Sequence, residues 1–233
     1  NDGPIGTLKE PPDWLVKALG LETASGRSVN EENAKKLSAV FACIKVLSET
    51  LAALPIHLYL QDGKLKSIDS SNPLHVLISS EPSNLYTSYS WRLTSMIHLT
   101  SHGNSYSIIH RNEYTGEAEW LEIIHPDKVK VYKYKGELFY LVNGYKDFIP
   151  AINMLHFVGF STDGIIGKSP IRIAAETIAS GLDTQDFTSK FFKNGTHINS
   201  FLETPNELSD KAFKRLQESW AERYSGMMNS FKT

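Results

Sequence analysis

Residues 154–180 read MLHFVGFSTDGIIGKSPIRIAAETIAS. An apolar run, LHFVGF (155–160), leads into a glycine loop with Gly-Lys-Ser at 167–169, and a helical period follows in IRIAAETIAS (171–180). Strand, glycine loop, Gly-Lys-Ser and helix is the layout of a nucleotide-binding P-loop. Whether it is one decides between a nucleotide hydrolase fold and something else. The P-loop spacing is G-x-x-x-x-G-K-[ST]. Counting back from Gly167, the first glycine belongs at position 162, which is Thr162, and Gly164 stands too close. Ser169 and Pro170 read as cap and first helical residue. Lys168 therefore precedes the helix instead of standing where helix amides cradle a phosphate. No apolar strand ending in Asp follows to hold magnesium. The stretch is a glycine-containing loop entering a well-capped helix.

Downstream, Ile171, Ala174, Ala175, Ile178 and Leu182 mark one stripe of a helix running from Pro170 to Phe191-Phe192, with Asn194-Gly195 as its stop. Such a helix would be roughly 36 Å long. A strand-like NSFLET follows, then a helix capped by Ser209, with Leu208 and Phe213 as a hydrophobic staple and Phe213, Leu216 and Trp220 as its stripe. The chain stops at SFKT with no closing element, so a fragment of something longer is expected.

Upstream, residues 105–160 hold short runs rich in β-branched and aromatic residues: SYSIIHR, EWLEII, KVKVYKY, ELFYLVN and LHFVGF. Turn signals at Tyr114-Thr115-Gly116, Pro126-Asp127, Lys135-Gly136 and Asn143-Gly144 separate them, which predicts an antiparallel meander. Before it, a helix is expected from a cap at Asn30, with an apolar face of Leu37, Val40, Ile44, Leu47 and Leu51. Pro55 ends it, and PIHLYLQ (55–61) reads as a strand closing on Asp62-Gly63. Asn72-Pro73 starts a short helix with Leu74, Leu77 and Ile78 on its face. Ser88 caps a third helix carrying Trp91, Met96 and Leu99, which stops near Gly103-Asn104. The predicted fold class is α+β: an extended arm at 1–28, a mainly helical α+β portion at 29–104, an antiparallel β portion at 105–160 and a helical portion at 161–233. There is no internal repeat.

The 233 residues carry a formal charge of −2, and 41% of them are hydrophobic. With a pI near 6.5, the chain lacks the basic excess of proteins that grip nucleic acid by its phosphates. No apolar run approaches the roughly 20 residues of a membrane helix. The single Cys43, in VFACIKV, excludes an internal disulfide and a cysteine zinc cage; it reads as a buried structural thiol and points to a reducing compartment.

Other chemistry is sparse. His98 and His102 are spaced i, i+4, but Leu99 stands where a zinc protease needs Glu. HLTSH with His110 as a third ligand is the metal reading; polar histidines at a helix end are the plainer one. There is no G-x-S-x-G and no carboxylate pair set up for acid–base work. GNSYSIIHR (103–111) reads as a helix stop followed by a half-exposed strand. Lys190 and Lys193 around Phe191-Phe192 offer a base-stacking platform, or a helix end with buried aromatics and cations favoured by the dipole. The residues therefore predict no catalytic, cofactor or metal site, and an interaction module.

The order of several segments carries more. SAVFACIKVLSETLAALPIHLY (38–59), NPLHVLISSEPSNLYT (72–87), GNSYSIIHR (103–111), LEIIHPDKVKV (121–131), MLHFVGFSTDGIIGKSPIRIAAE (154–176), FFKNGT (191–196) and LSDKAFKRLQESWAERYSGMMN (208–229) resemble, in this succession, bacteriophage portal proteins of the HK97-like family. Gly-Lys-Ser-Pro matches that family's G-x-S-P step. The resemblance implies a non-enzymatic subunit of a ring, usually of twelve copies, at one vertex of the capsid. Double-stranded DNA passes through it without sequence specificity during packaging and ejection. The implied partners are further copies of itself, the terminase motor, and capsid and head-completion proteins. The implied location is the virion, after synthesis in the bacterial cytoplasm. A near-neutral chain suits a conduit, because each phosphate contact adds salt-dependent affinity and would make a sliding duplex stick. The arm at 1–28 and the helix at 170–193 are candidate ring contacts. Family members continue further, which leaves ring closure by this stretch alone in question. The competing readings are an adaptor or scaffold without ring symmetry, and a packaging-associated hydrolase, for which a metal-binding carboxylate cluster is missing.

Overall fold

The computed structural model describes Thr23, residues 26–193 and residues 209–224. Most of the expected arm, the NSFLET strand and Leu208 of the staple lie outside the described residues. The chain divides into two compact units, Asn1–Ala179 and Ser180–Thr233.

Asn30 caps a turn and not a long helix. Its Oδ1 accepts from the N–H groups of Glu32 (3.1 Å) and Asn33 (2.8 Å). A 3-10 turn follows at Ala34–Lys36, and Leu37 is extended (φ −77°, ψ 116°). Helix α1 therefore starts only at Ser38 and runs to Ala52. Its buried row is Ile44, Ser48 and Ala52. Leu47 and Leu51, expected in the core, are 57% and 47% exposed, and Phe41, Val46 and Leu54 are exposed with them. Cys43 is exposed, not buried. One residue is about 100° of helix, which turns position 43 away from the row through Ile44.

Strands β1 (Tyr59–Asp62) and β2 (Leu65–Ile68) form a hairpin pairing Asp62 with Leu65. The loop is thus Gly63-Lys64, one residue later than expected, and Gly63 supplies the positive φ of 59°. Helix α2 (Pro73–Ser79) begins as the sequence predicts, with Asn72 Oδ1 accepting from the Leu74 N–H at 3.0 Å. Of Leu74, Leu77 and Ile78, only Leu77 is fully buried. Helix α3 (Ser88–His102) is capped by Thr87, not Ser88. The Ser88 hydroxyl donates instead to the Ile78 carbonyl and locks α3 to the end of α2. α3 buries Ser88, Trp91, Ser95, His98 and Ser101, while Met96 and Leu99 are only partly covered. It packs on α1. Serine and alanine in buried rows let helix axes approach closely, a pattern that a count of large apolar residues does not reveal. Arg92 Nη1 donates to the Leu54 carbonyl at 2.7 Å, tying the end of α1 to α3.

The β portion contains β3 (Asn104–Arg111), β4 (Ala118–Ile124), β5 (Val129–Tyr134), β6 (Glu137–Val142), β7 (Ile149–Pro150) and β8 (Met154–Val158). All pairs are antiparallel, in two three-stranded sheets ordered β4-β3-β8 and β5-β6-β7. The expected single meander is split: β3 pairs with β4, and β5 with β6 and β6 with β7, but β4 does not pair with β5, and β8 returns to β3, with Tyr106 opposite both Ile124 and His156. The two sheets share one core: Tyr106, Ile108, Ile124 and Met154 from the first meet Val131, Tyr140, Val142 and Ile149 from the second. The other face of β3 lies under α3, where Trp91 Nε1 donates to Ser107 Oγ at 3.1 Å. β3 is therefore buried from Asn104 through Ile108 rather than half-exposed. In β5, Lys130 is exposed and the adjacent Val131 buried, while Lys133, on the face of Val131, is exposed.

The expected long helix is two. Helix α4 (Pro170–Ile173) ends at Ala174 (φ −94°, ψ 15°), and helix α5 runs Ala175–Lys193. Helix α6 (Asp210–Tyr224) follows after the undescribed segment, with Phe213 exposed.

Candidate functional site

The Gly-Lys-Ser-Pro step is built against the end of α3. Asn104 is its anchor. Its Oδ1 accepts from the Gly167 N–H and its Nδ2 donates to the Gly167 carbonyl, both at 2.7 Å. The Lys168 N–H donates to the Phe160 carbonyl at 2.7 Å, and the Gly159 N–H to the Gly103 carbonyl at 2.8 Å. Gly103, Gly159 and Gly167 meet backbone to backbone. A Cβ on Gly167 would overlap the Gly103 carbonyl oxygen, and one on Gly103 would overlap the Lys168 carbonyl. Ser169 works twice: its Oγ donates to the Ser101 carbonyl at 2.7 Å and accepts from the Arg172 N–H at 3.3 Å, capping α4. Lys168 is exposed and aims at no phosphate cradle. Asp163 Oδ1 organises the loop before it, accepting from the N–H groups of Ile165 (2.8 Å) and Ile166 (3.0 Å) and from Ser161 Oγ (2.8 Å). Those bonds, the Ile166 amide foremost, hold its carboxyl down to about 2. The Glu31–Arg172 ion pair at 3.0 Å ties the Asn30 turn to α4.

Asn104 also fixes His156. Its Oδ1 already serves as an acceptor, so the His156 Nε2–H donates to it at 3.1 Å. His156 Nδ1 then accepts from the Tyr140 hydroxyl at 3.3 Å. The ring stacks on Tyr106 with centroids 4.3 Å apart, and burial lowers its pKa to about 4. The unfolded chain binds a proton near 6.5 and the folded chain only near 4. Stability is therefore intact above about pH 6.5 and declines as the pH falls from there toward 4. At about 1.4 kcal/mol per pH unit the loss is at most about 3–4 kcal/mol. Urea unfolding between pH 7.5 and 4.5 should show this slope, and His156→Gln should flatten it.

The histidines gather differently from the sequence expectation. His110 lies on β3, stacked on Trp120 at 3.7 Å and 2.8 Å from Glu122, away from HLTSH. His125 and Asp127, from the turn after β4, join His98 and His102 instead. Burial, then the neighbouring His125 and His102, push His98 down to about 3, and burial also lowers His102. At the end of α5, Phe187 stacks on Phe191 at 6.1 Å; of the expected pair, Phe191 is half-buried and Phe192 exposed, so the burial of aromatics there is only partial.

A family model described as phage portal protein matches residues 38–233. The chain belongs to the phage portal protein family. It is 29% identical over 247 residues to the probable portal protein of Streptomyces phage phiC31, covering 99% of this chain and 53% of that relative. It is 26% identical over 209 residues to the portal protein of Enterobacteria phage HK97, covering 85% and 48%. It is 34% identical over 109 residues to Protein BeeE of Escherichia coli K12, covering 46% and 67%. This portal chain spans about half the length of the first two relatives. Among solved structures, an HK97 family phage portal protein from Corynebacterium diphtheriae matches with a TM-score of 0.59 at 18% identity, over 90% of this chain and 64% of that one. A chain from the neck of a native gene transfer agent particle, computed with C12 symmetry, matches at 0.54 and 16%, over 99% and 59%. At such identities these two speak for the fold alone, and the fold is the α+β arrangement described above. In this portal chain Gly-Lys-Ser-Pro is a packing device. No local signal in the sequence assigns Gly103, Asn104 and Gly159 to this contact, because the β3–β8 pairing brings them to Gly167.

Proposed function

We propose that this chain is part of a portal subunit that assembles into a ring at one capsid vertex. Double-stranded DNA would pass through that ring during packaging and ejection, and the terminase motor would dock on it. The observation that carries this reading is the portal family match over residues 38–233. The surface of the first unit supports it. Phe41, Val46, Leu47, Leu51 and Leu54 around α1 are exposed, as are Tyr59, Leu60, Leu65 and Ile68 of the β1–β2 hairpin. Large apolar side chains left open in this number suit contact with further copies, and a ring needs head-to-tail contacts that close by rotation. A formal charge of −2 suits a passage that must not hold the duplex. In this reading the subunit is structural, and the ATP hydrolysis that drives DNA belongs to the motor. Among the described residues, no helix is long and apolar enough to cross a membrane.

Native mass spectrometry and negative-stain imaging of the full-length gene product test the proposal. A closed ring with a hole wide enough for duplex DNA, lost or reduced in Leu47→Glu, is the expected result. A full-length protein that stays monomeric at high concentration, with and without a scaffold partner, would overturn it in favour of an adaptor.

A further inference from the structure

We propose that His102, His125 and Asp127, with His98 beside them, form a binding site for a divalent transition-metal cation of the zinc class. The site comes together at the open end of the β3–β4 hairpin. His98 and His102 share one face of the last turns of α3, and His102 is its final residue. Pairing of β4 with β3, Ile124 opposite Tyr106, delivers His125 and Asp127 to that face.

The geometry is close to what a cation needs. One ligand atom from each of His102, His125 and Asp127 lies within 4.8 Å of the others. His102 Nε2 stands 4.0 Å from Asp127 Oδ1, and His125 Nδ1 3.7 Å from Asp127 Oδ2. The three rings meet edge to face, with centroid separations of 4.9 Å (His102–His125), 5.1 Å (His98–His125) and 6.2 Å (His98–His102). Imidazoles bound to one tetrahedral cation through nitrogens at about 2.0–2.1 Å have centroids about 5 Å apart. The Asp127 N–H that reaches His125 Nδ1 does so over 3.3 Å, longer than a usual hydrogen bond.

A second observation points the same way. His98 is 8% exposed, and among the described residues its Nδ1 has no hydrogen-bond partner. Buried polar nitrogens without partners are rare and ask for a reason. Three histidines packed together in a site with one aspartate are poorly explained as hydrophobic filling, whereas a ligand that takes up imidazole lone pairs explains the grouping.

The donor set selects the cation. Two imidazoles and one carboxylate suit zinc, cobalt or nickel; magnesium and calcium favour all-oxygen shells. His125 and Asp127, with side chains 46% and 33% exposed, open the site to solvent. A bound cation would pin the turn leading from β4 into β5 to the end of α3, next to the Gly103 contact with the Gly-Lys-Ser-Pro step.

The test uses the whole chain, stripped with a chelator and titrated with zinc sulfate, then with cobalt chloride. The expected result is one cation per chain, a rise in Tm of several degrees, and cobalt absorption typical of nitrogen and oxygen ligands. His125→Gln and Asp127→Asn lie at the open side of the site and are expected to fold. Each should weaken binding at least 10-fold, while Cys43→Ser should leave it unchanged. Magnesium chloride at the same concentration should not raise Tm. The absence of any zinc effect on the parent chain, a zinc effect that survives both His125→Gln and Asp127→Asn, or an equal effect of magnesium would overturn the assignment.

Discussion

Gly167→Ala should abolish cooperative folding of this chain or cost it more than about 4 kcal/mol, beyond the range of ordinary substitutions. The added methyl would overlap the Gly103 carbonyl oxygen, and its next neighbours are the Gly103 carbonyl carbon and the Gly159 nitrogen, the latter at 3.0 Å. All are backbone atoms, so no side chain can rotate out of the way. The residue cannot retreat either, because Asn104 holds both its N–H and its carbonyl at 2.7 Å. Natural domains are stable by only about 5–15 kcal/mol, so this single methyl group removes a large share. Gly164→Ala in the same loop is the matched control. Its φ of +73° is unfavourable for alanine, but nothing lies within 4 Å of the new Cβ. It should cost only about 1–2 kcal/mol. Urea unfolding followed by circular dichroism separates the two. A Gly167→Ala protein within 1 kcal/mol of the parent would mean that the backbone contact between positions 103 and 167 is not made.

Trp91→Ala is expected to be nearly as severe, at about 3–5 kcal/mol. The indole is 3% exposed and packs with Leu77 of α2 and Leu121 of β4. Around that cluster lie Tyr86, Ile109, Ile123 and Leu155. The Tyr86 hydroxyl donates to the Leu121 carbonyl and accepts from the Ile123 N–H. Truncation therefore empties the joint between two helices and the first sheet, and it leaves the Ser107 hydroxyl, 1% exposed, without its indole donor. Trp91→Phe keeps most of the volume and removes the hydrogen bond. It should cost about 1–3 kcal/mol, and the gap between the two variants measures the packing. Equal losses would show that the Nε1–Ser107 bond, and not the cavity, dominates.

Local rules were legible where one residue's chemistry settles the backbone. Asn72-Pro73 and Ser169-Pro170 start helices because a side-chain oxygen meets an open N–H just before a proline that needs none. Gly103 ends α3 because its φ of 78° excludes most other residues. Lys135-Gly136 turns β5 into β6 with both φ values positive. The helix faces were less legible. In α1 the hydrophobicity period picks out Leu47 and Leu51, but the packed row is Ile44, Ser48 and Ala52. The rule assumes that the largest apolar side chains seek the chain's own core. Here close helix packing selects small ones, and the large ones stay open.

The sequence by itself determined the element types, the capped entry at Pro170, the failure of the P-loop spacing and, through the order of weak segments, the portal family. Each of these depends on neighbours a few positions apart or on the succession of motifs. Only the tertiary structure decided that Gly167 is a glycine because of Gly103, that Asn104 holds both Gly167 and His156, and that His125 and Asp127, not His110, complete the cluster begun by His98 and His102. Those groups lie up to 64 positions apart (103 to 167). They meet through antiparallel register, β4 and β8 each pairing with β3, and no local period encodes which residue a strand two turns away will bring to face it.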